Sequence, residues 1–139
     1  MVISITRWTT DAQRNAAGTA LKSGGGAALK KALEAMPGAG AIRIGAQTTP
    51  LKYARTLSTG SGRLVTVVAA QPILYLGGGA PEARAGFDFA LATFEVDAAG
   101  KGSADELAPA AKIKMDAKGA LVTEDYGAEA VRLIDISKQ

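Results

Sequence analysis

The chain has 139 residues with no cysteine and no histidine, and its sixteen Lys or Arg against thirteen Asp or Glu leave a net charge of +3. That length fits one domain with a single core, and 47% apolar with 21% charged residues is the balance of a folding chain, too hydrophobic for a disordered one. The two missing residue types exclude disulfides, thiol nucleophiles, cysteine–histidine zinc clusters and histidine triads, which leaves carboxylate, Lys, Tyr, Ser or Thr chemistry or carboxylate binding of a hard cation.

"VISITRW" alternates, with Ile3 and Ile5 on one side of a first strand, and it carries no charged-then-apolar signal pattern. Thr10 and Gln13 have capping-box spacing and Asp11 falls in the first turn, so a helix is predicted from about residue 10. It is Ala-rich and stops at Ser23 and glycines 24 to 26. "AALKKALEAM" then places Leu29, Ala32, Leu33 and Met36 on one stripe, ended by Pro37 and Gly38. The three glycines predict a helical hairpin over residues 10–36, lying on a sheet.

From about residue 40 the period changes to two. "AIRIGA" reads as a short strand; "PLKYARTLST" alternates Leu51, Tyr53, Arg55 and Leu57 against Lys52, Ala54 and Thr56, and "GSGR" turns it into the β-branched run "LVTVVAA", making a hairpin. "PILYLGGGA" adds a brief strand, and Pro81 opens one helical turn at "PEAR". The rest predicts a meander, with "DAAG" at Asp97–Gly100 and "DAKG" at Asp116–Gly119 closing hairpins through type I turns. A further reversal is predicted around "EDYG", where Glu124 and Asp125 read as turn residues in preference to a catalytic carboxylate pair. Single apolar rows such as Ile113 with Met115, or Val131 with Leu133, predict strands with one face on the core and one in solvent.

Motifs for known chemistries are missing. "PGAGAIRIG" precedes a strand and lacks a third glycine, "YLGGGAPEAR" lacks the Lys-Ser/Thr of a phosphate loop, and neither Asp/Gly tetrad has EF-hand spacing, so neither a cofactor nor a metal is predicted. No apolar run is long enough for a membrane span. Residues 1–70 carry nine Lys or Arg against two acids, while residues 71–139 carry seven against eleven. A polyanion surface at Lys30, Lys31, Lys52 and Arg63 is weighed and disfavoured, because the basic residues are scattered and no aromatic cluster accompanies them; nucleic acid is therefore not the expected partner. "LKYAR" is the most suggestive group: Tyr53 and Arg55 share a strand face with Leu51 and Leu57, so a half-buried Arg needs a partner. An internal ion pair is the favoured reading, with Glu95, Glu124 and Asp135 as candidates, over an external carboxylate or phosphate. Trp8 reads as a core or rim anchor, and alternatively as a stacking platform beside Arg7.

The order of "ITRWTTDAQR", "LKYAR", "RLVTVVAAQPI", "FALATFEVDAAGKGS" and "YGAEAVRLIDI" resembles an uncharacterised family of small bacterial proteins usually made with a signal peptide. The matching positions are Arg7 to Thr10, Tyr53 to Arg55 and Tyr126 to Leu133, and the likeness runs over nearly the whole chain. It implies a periplasmic or secreted location and assigns no activity; the chain itself lacks a signal pattern, so the cytoplasm is the alternative.

The expectation is a single α+β domain over 1–139. It has about eight mostly antiparallel strands, a meander over about 40–137, curled into a sheet or barrel with the helical hairpin between the first and second strands. Closed barrel and open sheet are left open. For function the leading expectation is a non-catalytic exported domain that binds or self-assembles as a homo-oligomer, followed by a small-ligand carrier with Trp8, Tyr53 and Arg55 lining the site. A carboxylate-based enzyme and a polyanion binder follow those two.

Overall fold

Alternation in the sequence builds two antiparallel sheets with one helix between the first two strands, as a computed structural model shows for residues 2–44, 47–58, 62–71, 89–97, 101–115, 121–126, 131–133 and 136–137. The first sheet has the order β1 (Val2–Ile5), β2 (Gly40–Ile44), β3 (Gln47–Leu51). In the second, β4 (Tyr53–Ser58), β5 (Gly62–Ala69), β6 (Phe89–Asp97) and β7 (Lys101–Met115) lie side by side. Beyond β7, its outer flank pairs in succession with β8 (Leu121–Tyr126), β9 (Val131–Leu133) and β10 (Ile136–Ser137). Antiparallel pairing and the β4–β5 hairpin, with Ser58 opposite Arg63, follow the predicted pattern. The described strands form two open sheets and no closed barrel.

The larger sheet is the middle of three layers. Ala54, Val65, Val67, Ala69, Ala90, Ala92 and Phe94 form a core with Ala39, Ile42 and Leu51 of the small-sheet side, and Ile3 and Ile5 pack onto it. On the opposite face Tyr53, Val68, Phe89, Leu91, Ile113 and Leu121 pack under Ala17, Leu29 and Leu33 of α1 (Asp11–Glu34). Strand β5 is buried on both faces over its central residues, as its β-branched run predicts, and so is β6, contrary to the one-sided burial predicted for the C-terminal strands. Alternation places apolar residues on both faces here, and the alanines of β6 let the small sheet approach closely.

Thr10 caps α1 as predicted: its hydroxyl accepts from the Gln13 amide while the Gln13 side chain accepts from the Thr10 amide. The predicted hairpin takes the form of two helical segments that meet at a kink at Gly25, whose φ of 70° only glycine adopts readily, with no separate loop between them. A straight helix of 24 residues would span about 36 Å. Its ends nevertheless return to one strand region: Asp11 bonds Arg55, and the carbonyl of Met36 accepts from Lys52 Nζ at 3.3 Å. The break at Gly25 therefore bends the helix back over the sheet, reaching Met115 at Gly18 on the way.

Three other expectations need correcting. "PLKYARTLST" is not one strand: at Lys52 the chain leaves the small sheet for the large one, and the Lys52 amide bonds the Val68 carbonyl that faces Tyr53. That extra residue sends Leu51 into the inter-sheet core and Tyr53 into the core beneath the helix. "EDYG" is no reversal either, since Glu124 to Tyr126 belong to β8, and β9 continues antiparallel to β7 on the same flank, with Tyr126 opposite Ala111 and Val131 opposite Leu107. The predicted meander begins only at β4, because β1 to β3 form their own sheet. The readings at "PILYLGGGA" and "PEAR" lie outside the described residues.

Candidate functional site

The residues singled out in "RWTT" and "LKYAR" meet at the outer edge of β4. Thr9 takes the place of a neighbouring strand there: its amide donates to the Ala54 carbonyl and its hydroxyl accepts from the Ala54 amide, both at 2.9 Å. Upstream, the amides of Thr6 and Arg7 both reach the Ala39 carbonyl, which fixes the path of the chain from β1 to the helix. Thr9 is buried as a result, and the neighbouring Trp8 remains 46% exposed. Trp8 is thus a rim residue, as expected, and does not enter either core.

Arg55 is held by this same segment. Its Nη1 donates to the Thr9 carbonyl at 2.7 Å and its Nη2 to Asp11 Oδ1 at 2.9 Å. The favoured reading of an internal ion pair holds, with a different acid: the partner comes from the start of the helix, 44 residues upstream, in place of Glu95, Glu124 or Asp135. The Asp11 side chain is 81% exposed and that of Arg55 24%, so the pair is a surface clamp worth about 0.2–1 kcal/mol. Lys52, considered for a polyanion surface, is half-buried and bonded to the Met36 carbonyl at the helix C-terminus, where a cation suits the dipole.

Tyr53 lies two residues from Arg55 on the same strand face and is 1% exposed. Burial pushes its hydroxyl above the ordinary tyrosine pKa of 10.0, while the charges of Arg55 and Arg14 pull it back down. Arg14 was not among the predicted site residues. It stands three positions before the buried Ala17 and seven before Leu21, on the stripe of α1 that packs on the sheet. A cation in that stripe was the sequence signal available. One row along the strands, Thr66 pairs with Arg55 and Thr93 with Thr66, so the sheet face changes from apolar at Tyr53–Val68–Leu91 to polar at Arg55–Thr66–Thr93.

Tyr53, Arg55 and the backbone next to Trp8 are therefore brought together with Thr9 and Asp11 at the outer edge of β4, with the charge of Arg14 acting on Tyr53. Among the described residues no group of three or more acids is placed to hold a metal ion. No helix of the described chain is long and apolar enough to cross a membrane.

No protein-family model matches the chain, and neither curated proteins nor solved structures give a significant match.

Proposed function

We propose that the chain is a non-catalytic module that associates with copies of itself, edge strand to edge strand, and works outside the cytoplasm. The observation that carries this reading is the pair of edges on the large sheet. On β4 the bonds to Thr9 direct the Ala54 amide and carbonyl away from β5, and strand alternation directs those of Thr56 and Ser58 the same way. Neither Thr56 nor Ser58 has a backbone partner on that side among the described residues, and Leu57 between them is 40% exposed. The opposite edge is formed by β8 to β10, whose segment 121–139 carries four acids against one Arg and one Lys.

Residues 1–70, which include β4, carry nine Lys or Arg against two acids, and with an acid-rich segment at the opposite edge this layout favours head-to-tail addition, in which each copy extends the sheet of the next. Such contacts are heterologous, so growth is open-ended and weakens as salt screens the charges. The extracytoplasmic placement is carried by the resemblance in the "RWTT", "YAR" and "YGAEAVRL" segments. Sedimentation at rising protein concentration, in low and high salt, tests the reading. Concentration-dependent species without a fixed stoichiometry at low salt support it; a monomer at every concentration and salt sinks it. Thr56→Pro removes an outward amide without touching the β5 ladder and should halt growth while leaving the monomer folded.

A further inference from the structure

We propose that Met115 and Met36 are sites of reversible sulfoxidation, and that a hydroperoxide acting on them frees the helical layer from the sheet. Each side chain holds one arm of the bent helix. On the first arm Gly18 is buried, and a Cβ built there would lie 2.5 Å from Met115 Cε and 3.3 Å from its Sδ, so the thioether fills the notch that the missing side chain leaves. At the end of the second arm Met36 follows the C-cap Ala35 and packs against the same core, in which Ala17, Leu29 and Leu33 lie over Phe89 and Leu91. Both methionines are half-buried, so part of each side chain stays within reach of a small oxidant. Among the described residues the core between the two sheets contains no methionine, so the chemistry falls on one layer alone.

The peroxide supplies all that the step needs. The thioether sulfur attacks one peroxide oxygen, an S–O bond forms as the O–O bond breaks, and the second oxygen leaves as water or an alcohol; sulfur loses two electrons and the peroxide gains them. A polar group then stands where an apolar one packed. At Met115 the added oxygen must either be buried in an apolar core or push the helix aside to reach water. The remaining attachments of the helix are slight, since the Asp11–Arg55 pair is exposed and the Lys52 bond ends on the carbonyl of Met36 itself. Thr9 still tethers the start of the helix to Ala54, and the break at Gly25 lets the arms move, so the helix lifts while the sheet stays folded. The outward edge of β4 takes no part, so oxidation and self-association stand or fall separately.

The experiment adds hydrogen peroxide in stages to the intact protein, locates each added oxygen among Met1, Met36 and Met115 by mass spectrometry, and follows amide hydrogen exchange in the helix and the strands. Sulfoxide is expected at Met36 and Met115 of the folded protein, with the melting temperature lowered by about 2–8 °C. Helix amides over residues 14–34 should lose protection while those of β5 and β6 keep theirs. Methionine sulfoxide reductases should restore both readouts, a control that needs no variant. Met115→Leu combined with Met36→Leu preserves apolar volume and should retain helix protection at the same peroxide dose. The proposal is overturned by the absence of sulfoxide at Met115 or Met36, by sulfoxides that leave melting and helix protection unchanged, by loss of β5 and β6 protection in step with the helix, or by a doubly substituted protein that responds to peroxide as the parent does.

Discussion

The two faces of strands β5 and β6 are built from adjacent residues and do different work. Toward the small sheet they present Val65, Val67, Ala69, Ala90, Ala92 and Phe94, closed over by Ile42 and Leu51 in a wholly apolar layer. Toward the helix they present Val68, Phe89 and Leu91 under Leu29 and Leu33, and one row further the polar pair Thr66 and Thr93 beside Arg55. The sandwich face is finished by its own sheet, whereas the helix face gives way at its edge to the Thr66–Thr93 row and the Arg55–Asp11 pair.

The contrast can be broken most severely at its large anchors. Phe89→Ala empties a fully buried ring site beneath the helix and should cost about 3–5 kcal/mol, read as a fall in urea midpoint. Ala92→Leu tests the opposite face, where the fit between sheets depends on a small residue; overpacking should cost about 1–3 kcal/mol, and a neutral result would show the inter-sheet layer to be loose. Thr9→Val keeps the shape and the backbone bond but leaves the Ala54 amide unsatisfied, for a loss of about 1–3 kcal/mol in thermal or urea unfolding. Asp11→Asn releases only the exposed half of the Arg55 clamp and should change stability by less than about 1 kcal/mol.

The pH dependence sharpens the same comparison. Because burial raises the Tyr53 pKa in the folded state, its contribution is fully present below pH 10.0 and is lost as pH rises through the folded value. Unfolding measured on both sides of that pH should show a steeper loss for the parent protein than for Tyr53→Phe. Identical slopes would mean that the hydroxyl is hydrated in the fold as it is in the unfolded chain.

Local features were the legible ones. The cap at Thr10, the strand pair around "GSGR" and the antiparallel order from β4 onward follow from spacing over a few residues. What escaped depends on neighbours distant in sequence. The Asp11–Arg55 pair spans 44 residues and forms only because Thr9 stands in as a strand beside Ala54. Double-sided burial of β6 escaped because one of its faces is covered by Ile42 and Leu51, from a segment far away in sequence. Lys52 conceals the change of sheet because an inserted residue leaves alternation intact on either side of it while exchanging the faces across it. "EDYG" misled for the complementary reason: its residue types favour turns, and the ladder along β7 overrides them. At the candidate site Tyr53 and Arg55 were visible as an unusual pair, while Arg14 was hidden inside an Ala-rich stripe.

Amide hydrogen exchange along β4, followed against protein concentration, tests self-association most directly. The account predicts a slow Ala54 amide under all conditions, because Thr9 holds it, and Thr56 and Ser58 amides that exchange fast in dilute protein and become protected as copies add at low salt. Thr56 and Ser58 amides that are already protected in the dilute monomer, or that stay fast at every concentration, would contradict it.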